Sequence, residues 1–323
     1  MNPAAFSPPP QQGDPTSWIV AQRPARAVVD PSRPVGLFLE QERAADGRIV
    51  DSACVLLANK ECPWRCLMCD LWRHTLPGPT PLGAIPRQID FALLQFATVP
   101  EQLKLYNAGS FFDVAAIPPA DYPAIARRIA FARHVIVESH PRLVGDRARQ
   151  FRDLLAGSLE VAMGLETVHP AVLPRLNKRF SLDDFARAAG FLLQSHINLR
   201  AFVLVQPPFL SESDAVPWTA KSAQFAFDCG ASAVSLIPTR PGNGALEQLS
   251  QQGEFSPPSL ATLEQALAAV LALKRGRAFA DTWDLRRFSS CAACLPERKR
   301  RLELANLTQE TQPAAACCVC GPH

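Results

Sequence analysis

The stretch LLANKECPWRCLMCDLWRHT, residues 56–75, sets Cys62, Cys66 and Cys69 within eight positions, directly after an apolar run that reads as a β-strand. The spacing is Cys-x3-Cys-x2-Cys. A structural zinc ion closes a tetrahedron with four ligands, commonly as two paired sets. No fourth Cys or His follows closely here; His74, five residues past Cys69, is the residue that could fill the gap. Three thiolates suit a [4Fe–4S] cluster in which the protein holds three irons and the fourth stays open to a substrate or cofactor. Cys54, inside the preceding strand, reads as a core residue.

Around this stretch, strand-like and helix-like patterns alternate. Apolar runs near Ala53–Ala58, Gln102–Tyr106, His134–Glu138, Leu159–Gly164, Asn198–Val205 and Ala233–Ile237 predict strands, with a short seventh at Arg277–Ala280. Helical periodicity lies between them, near Gln88–Ala97, Asp121–Ala132, Arg142–Leu155, Leu182–Ser195, Asp214–Cys229 and Ser259–Lys274. Ser181 with Asp183 and Asp184 is a helix-start signal, and Gly230 a stop. Asp46-Gly47 between two strand-like runs predicts a hairpin. The fold class expected is α/β: a partial (β/α)6 TIM-like barrel of parallel strands, preceded by a β-hairpin extension. Ligands in such folds bind at the carboxyl ends of the strands, which puts the cysteine loop on the active face.

At 323 residues, 48% hydrophobic and 20% charged, the chain has enough apolar content for a real core. Its net charge of +3 permits a phosphate-bearing partner without requiring one. No apolar run approaches the ~20 residues of a membrane span, and the start lacks the pattern of a secretory signal. Ten cysteines in such a chain point to metal or redox chemistry rather than disulfides, and to a cytoplasmic location. Residues 1–33, rich in Pro and Gln, read as a disordered or loosely attached arm; residues 34–285 as the barrel with its hairpin; and 286–323 as a Cys-rich metal-binding tail.

From Cys62 to Cys69 the sequence resembles the signature of the radical S-adenosylmethionine (SAM) superfamily, with Met68 where an aromatic residue is usual. The resemblance covers about residues 50–285 and lies nearest the branch containing the archaeosine-forming tRNA lyase and the elongator catalytic subunit. It implies that Cys62, Cys66 and Cys69 hold a [4Fe–4S] cluster. LKLYNAGSFFD then offers Asn107, Ala108, Gly109 and Ser110 for the SAM amino group. GLETVHPAVLPRLNKR offers Glu166, NLRAFVLVQPPFL offers Arg200 for the SAM carboxylate, and SLIPTRPGNGA offers Ile237, Thr239 and Gly242–Gly244 on the adenine side. Read as residues alone, Asn107 or Glu166 could cap a turn, and Arg200 could be a surface charge. Only Cys54 precedes the loop cysteines, which disfavours the methylthiotransferases, and the roughly 40 residues after the barrel cannot build the acetyltransferase domain of the elongator subunit.

In the tail, Cys291-x2-Cys294 and Cys317-x2-Cys320, with Cys318 as an alternative, suit a tetrahedral zinc site, an auxiliary iron–sulfur cluster, or an unstructured thiol-rich end. Arg298–Arg301 lie together on a predicted helix, as a solvated face or an RNA-phosphate patch. The resemblance implies reductive cleavage of SAM and hydrogen abstraction, with an electron donor such as flavodoxin or ferredoxin. The substrate expected from the resemblance and the basic tail is a modified tRNA nucleoside, with a small molecule of cofactor or metabolite synthesis as alternative, and a metal-binding protein without SAM turnover as the reading of another class. Glu138, His140 and His169 lie near strand ends where they could line the pocket.

Overall fold

Residues 14–314 and 316–322 are described in the computed structural model; the first thirteen residues of the Pro-rich arm lie outside them. One sheet runs in chain order: β1 (Gly36–Arg43), β2 (Ile49–Leu57), β3 (Gln102–Asn107), β4 (His134–Ser139), β5 (Ser158–Glu166), β6 (Asn198–Val205), β7 (Ala233–Pro238) and β8 (Arg277–Ala280). The hairpin strand β1 is antiparallel to β2, and every later pair is parallel. All six expected parallel strands form, the run at 277–280 adds a seventh, and the sheet curls into a half-barrel.

Side chains alternate along each strand. Leu103 and Leu105, Val135 and Val137, Val161, Met163 and Leu165, and Leu199, Ala201 and Val203 pack outward into one core beneath the helices. The intervening positions face the lumen and are often polar: Gln102, Lys104 and Tyr106 on β3, His134 and Glu138 on β4, Glu160 and Glu166 on β5, Arg200 on β6. Helices α2 (Ala84–Leu93), α3 (Tyr122–Arg128), α4 (Asp146–Leu154), α5 (Leu182–Gln194), α6 (Glu212–Asp228) and α8 (Leu260–Ala272) follow the expected segments. At α5, the Ser181 hydroxyl accepts from the Asp184 amide while the Asp184 carboxylate accepts from the Ser181 amide. Helix α2 starts four residues before the expected Gln88, because the Gly83 amide donates to the Asp121 carboxylate and the Gln88 amide bonds the Ala58 backbone. Two short helices, α1 (Thr16–Ala21) in the arm and α7 (Ala245–Gln251) after β7, had no clear pattern in the sequence.

The amino end of the lumen is closed by charge. Arg200 grips Glu42 of β1 through two nitrogens, at 2.5 and 3.1 Å, and Glu160 of β5 at 2.5 Å. Lys104 joins Glu40 and Glu42, and Arg277 of β8 lies 3.4 Å from Glu160. Three carboxylates thus face three cations, and Arg200 is 1% exposed. The same floor draws the sheet's two outer strands together, since Arg277 also donates to the Arg43 carbonyl of β1 at 3.0 Å. The position expected to meet the SAM carboxylate is therefore committed to the barrel floor: Arg200 sits third in its strand, and its partners are Glu42 and Glu160.

The outer edge of β8 pairs with no strand among the described residues. Helix α9 (Leu295–Thr308) and its last turn cover it with side-chain amides. Asn306 exchanges both bonds with Ala280 (2.8 and 2.9 Å), and Gln309 does so with Ala278 (2.7 and 3.0 Å).

Replacing Arg200 by Met leaves two buried carboxylates short of a cation, and should cost about 3 kcal/mol or more in urea unfolding; a cost below about 1 kcal/mol would show that the floor does not hold the barrel. Burial alone would raise the Glu160 carboxyl, but Arg200, His134 and Arg277 hold it down to about 2. Its contribution is therefore complete above the ordinary value of about 4.3 and is lost as pH falls toward about 2. Arg200→Met should flatten that acid limb of the stability profile.

Candidate active site

The cysteine loop leaves β2 at the carboxyl end of the sheet and is held from three sides. Before it, Glu61 pairs with Arg23 (2.8 Å), Arg26 (2.6 Å) and Arg65 (3.2 Å), so the arm is fastened to the loop by Arg23 and Arg26 as well as by the buried Ile19, which packs in one cluster with Leu67. Gly244 permits that approach, since a Cβ there would lie 1.8 Å from the Gln22 carbonyl oxygen. On one side the Asn177 amide donates to the Arg65 carbonyl (2.7 Å) and the Leu67 amide to the Leu176 carbonyl (2.9 Å). On the other, Asn243 donates to the Leu67 carbonyl (2.6 Å) and accepts from the Leu246 amide of α7 (2.9 Å). Loop carbonyls that a free turn would leave to water are thereby bonded by fixed amides.

The segment after β3 lies against this loop. Gly109, at φ +147°, comes so close that a Cβ would sit 3.0 Å from the Cys62 Cβ. Beside it, Asn107 has both side-chain amide atoms buried without a hydrogen-bond partner, a costly state for a polar group unless something else is received there. The Ala108 amide donates to Asn59 (3.3 Å), and the Ser110 hydroxyl accepts from the His140 amide (2.6 Å). So Asn107, Ala108 and Gly109 are brought to the cysteines, whereas the Ser110 side chain is used internally.

Glu166 closes β5 at a register shift, in the left-handed region at φ +66°, a strained conformation of a kind that clusters at functional sites. It forms an ion pair with Lys178, and a Cβ at Gly164 would collide with that pair. Burial works against the Lys178 charge, but Glu166 and then Cys66 raise the ammonium above its ordinary value. Trp64 of the loop stacks on His140 at 3.7 Å and 8°. His140 accepts from the Arg142 amide through Nδ1 and donates through Nε2 to the Lys178 carbonyl (2.9 Å); burial and the Lys178 charge push it down to about 3, so it is neutral. Burial pushes the thiols of Cys62, Cys66 and Cys69 up to about 12 each. Thiolates there would need a cation beside them.

The other predicted residues divide. Ile237 and Met68 pack against the same cluster of Val172, Leu176, Leu204 and Leu210, on the far side of the mouth. The Thr239 hydroxyl and its backbone amide both donate to the Val205 carbonyl (3.0 and 3.1 Å). His169 packs on Trp218 at 4.3 Å. Glu138 faces the lumen half-buried, and burial pushes its carboxyl up to about 8. In the tail, the sulfurs of Cys291, Cys294, Cys317 and Cys320 lie within 4.8 Å of one another, and Cys318 is exposed. The sequence reading passed over Lys178, Asn177 and Trp64, and offered Asn243 only within Gly242–Gly244 on the adenine side, whereas its side chain bonds the cysteine loop and α7. Only Trp64, inside the cysteine motif, carried a local signal.

No protein-family model matches the chain. An uncharacterized protein of Methanocaldococcus jannaschii is 23% identical over 76% of this chain and 71% of its own length. The archaeosine synthase subunit beta of Methanosarcina acetivorans is 26% identical over 82% of each chain. Among solved structures, the archaeal Elp3 of Methanocaldococcus infernus superposes with a TM-score of 0.50 at 14% identity, over 69% of this chain, which spans 59% of that one. The chain thus shares its fold with that structure. No helix among the described residues is long and apolar enough to cross a membrane.

Asn243→Ala removes bonds to both the loop and α7. It should lower stability by about 1–3 kcal/mol and reduce the iron taken up on anaerobic reconstitution; full iron uptake would mean that Asn177 and the arm hold the loop unaided.

Proposed function

We propose that this chain is a radical SAM enzyme that acts on a modified nucleoside in tRNA, by base modification or C–N bond cleavage. The observation that carries the chemistry is the close approach of Gly109 to Cys62 beside the unpartnered amide of Asn107. Cys62, Cys66 and Cys69 would hold a [4Fe–4S] cluster, which when bound would supply the electron for reductive cleavage of SAM and so the means of hydrogen-atom abstraction from the substrate.

The chain's own residues bind and orient. The Asn107 side chain and the backbone from Ala108 to Ser110 take the amino end of SAM. Lys178 is the buried cation beside the loop, and it takes the carboxylate in place of Arg200, with Glu166 holding its ammonium group. The backbone at Ile237 and Thr239 borders the adenine. Within the lumen Tyr106 and Phe202 meet edge to face at 5.9 Å, and Glu138 keeps its proton at neutral pH. The walls that meet the substrate thus present donors and rings without an added carboxylate charge. Electrons come from a small donor such as flavodoxin or ferredoxin.

For the substrate, support comes from the relatives named archaeosine synthase subunit beta and from the rim. Trp283 is 60% exposed with the Arg240 guanidinium 4.9 Å from its ring, and Arg286 is exposed nearby. Such a ring beside cations suits base stacking next to phosphate contacts.

Anaerobically reconstituted protein, given dithionite and SAM, should form 5′-deoxyadenosine, and a Cys62/Cys66/Cys69→Ala variant should form none. Lys178→Met should keep its iron but lose SAM binding by about tenfold or more, the scale of a lost charged contact. Unfractionated tRNA should bind with a steep salt dependence. Absence of 5′-deoxyadenosine from cluster-loaded wild type would overturn the chemistry; salt-insensitive or absent tRNA binding with 5′-deoxyadenosine present would overturn the substrate alone.

A further inference from the structure

The tail begins at a helix and ends in a hairpin too small to stand alone. Cys294 caps α9, and Cys291 lies one turn before it. The partners come from β9 (Ala316–Cys317) and β10 (Gly321–Pro322), two-residue strands paired in antiparallel register. A hairpin of that length has no stability of its own in water, so a cross-link has to hold it. None of the four cysteines is in a disulfide.

The sulfur geometry selects the cross-link. A tetrahedral ion with Zn–S bonds of about 2.3 Å places its sulfurs about 3.8 Å apart. Cys291 and Cys317 approach to 3.9 Å, and Cys294 and Cys320 to 3.6 Å, one cysteine of each pair coming from either side of the site. In a four-iron cubane each thiolate binds its own iron, which spreads the sulfurs wider than a single ion does. The surroundings suit the doubly negative charge of a tetrathiolate ion. Amides of Cys294 and Ala293 point at the Cys291 sulfur, and those of Cys320 and Val319 at the Cys317 sulfur, the last at 3.4 Å. The buried Arg298 guanidinium lies beside the Cys294 sulfur and is itself steadied by Glu264 of α8 at 2.7 and 3.1 Å. Between divalent iron and zinc, zinc binds the more tightly at equal ligands.

We propose that Cys291, Cys294, Cys317 and Cys320 bind one zinc ion that pins α9 across the outer edge of β8. Helix α9 has fourteen residues and is about 21 Å long. The ion fixes its first turn, while Asn306 and Gln309 beyond its middle bond the backbone of Ala280 and Ala278. Loss of the ion frees the first turn and, through the helix, loosens the amide cover of the strand. The site is separate from the Cys62–Cys69 loop and does not depend on how that loop is read.

The test uses the full chain, purified anaerobically, with zinc, iron and acid-labile sulfide counted for four proteins: wild type, Cys62/Cys66/Cys69→Ala, Cys317→Ser/Cys320→Ser, and Cys318→Ser. One zinc per chain is expected in all but the tail double variant, and the loop variant should lose its iron and sulfide while keeping zinc. Hydrogen exchange in peptides covering residues 277–281 should speed by about tenfold or more in the tail variant. The same should follow chelation of wild type and reverse on zinc addition, with exchange in β5 unchanged throughout. Iron or sulfide retained by the loop variant would overturn the zinc assignment. Unchanged exchange at 277–281 after chelation, in protein shown to have lost its zinc, would overturn the coupling to β8.

Discussion

Everything at the mouth depends on a bargain struck at the other end of the barrel, where Arg200 is held between Glu42 and Glu160. Seven parallel strands do not close a barrel, and an incomplete one would leave its lumen open at the bottom. The hairpin strand β1 supplies Glu40 and Glu42 from outside the parallel set; Lys104 of β3 and Arg200 of β6 reach toward them, while Arg277 of β8 reaches Glu160 and the Arg43 carbonyl. Buried charges are tolerated only when paired and hydrogen-bonded, so the network also restricts how the strands are placed. A slip of one residue in β6 would turn Arg200 outward into the apolar layer under the helices.

With the floor fixed, the carboxyl ends of the strands stand in a defined array, and the cysteine loop is built onto it by amides rather than by apolar packing alone. Asn177 and Asn243 come from the segments after β5 and β7, while Arg23 and Arg26 come from the arm. Each bonds a group within five residues of a cysteine. The loop is thus ordered by neighbours distant in sequence, and three half-buried thiols are positioned without needing to be thiolates first. For the metal site proposed above, that arrangement is preorganisation: the organising cost falls on folding, and a ligand would meet a formed cradle.

How much of this was legible follows from the range of the forces involved. Strands were legible because the outward layer is apolar in nearly every case, and β6 was bounded correctly at both ends. The capping of α5 is local and could be read from Ser181 and Asp184. Arg200 was misplaced because its partners stand 158 and 40 residues away in the chain, and nothing adjacent to it reveals them. Helix α2 was displaced for a similar reason: its start answers to Asp121, not to its own periodicity. Lys178 looked like one of several basic residues in RLNKR, and only the folded chain distinguishes it by burying it beside Glu166. The tail's paired cysteines were legible as a set that could gather, but their connection to β8 required knowing what Asn306 and Gln309 touch.

The amide cover on β8 has a consequence for how this protein keeps from sticking to itself. An outer strand with bare donors and acceptors is a template on which another chain can lay a strand of its own. Here two side chains, three residues apart on a helix, occupy the same backbone groups that an incoming strand would seek. A helix can be lifted from that edge by a small movement, whereas a paired strand would have to be unzipped. The edge is therefore guarded by a removable lock, and a chain whose lock has sprung while its barrel is still folded would offer its neighbours an intact and unoccupied strand.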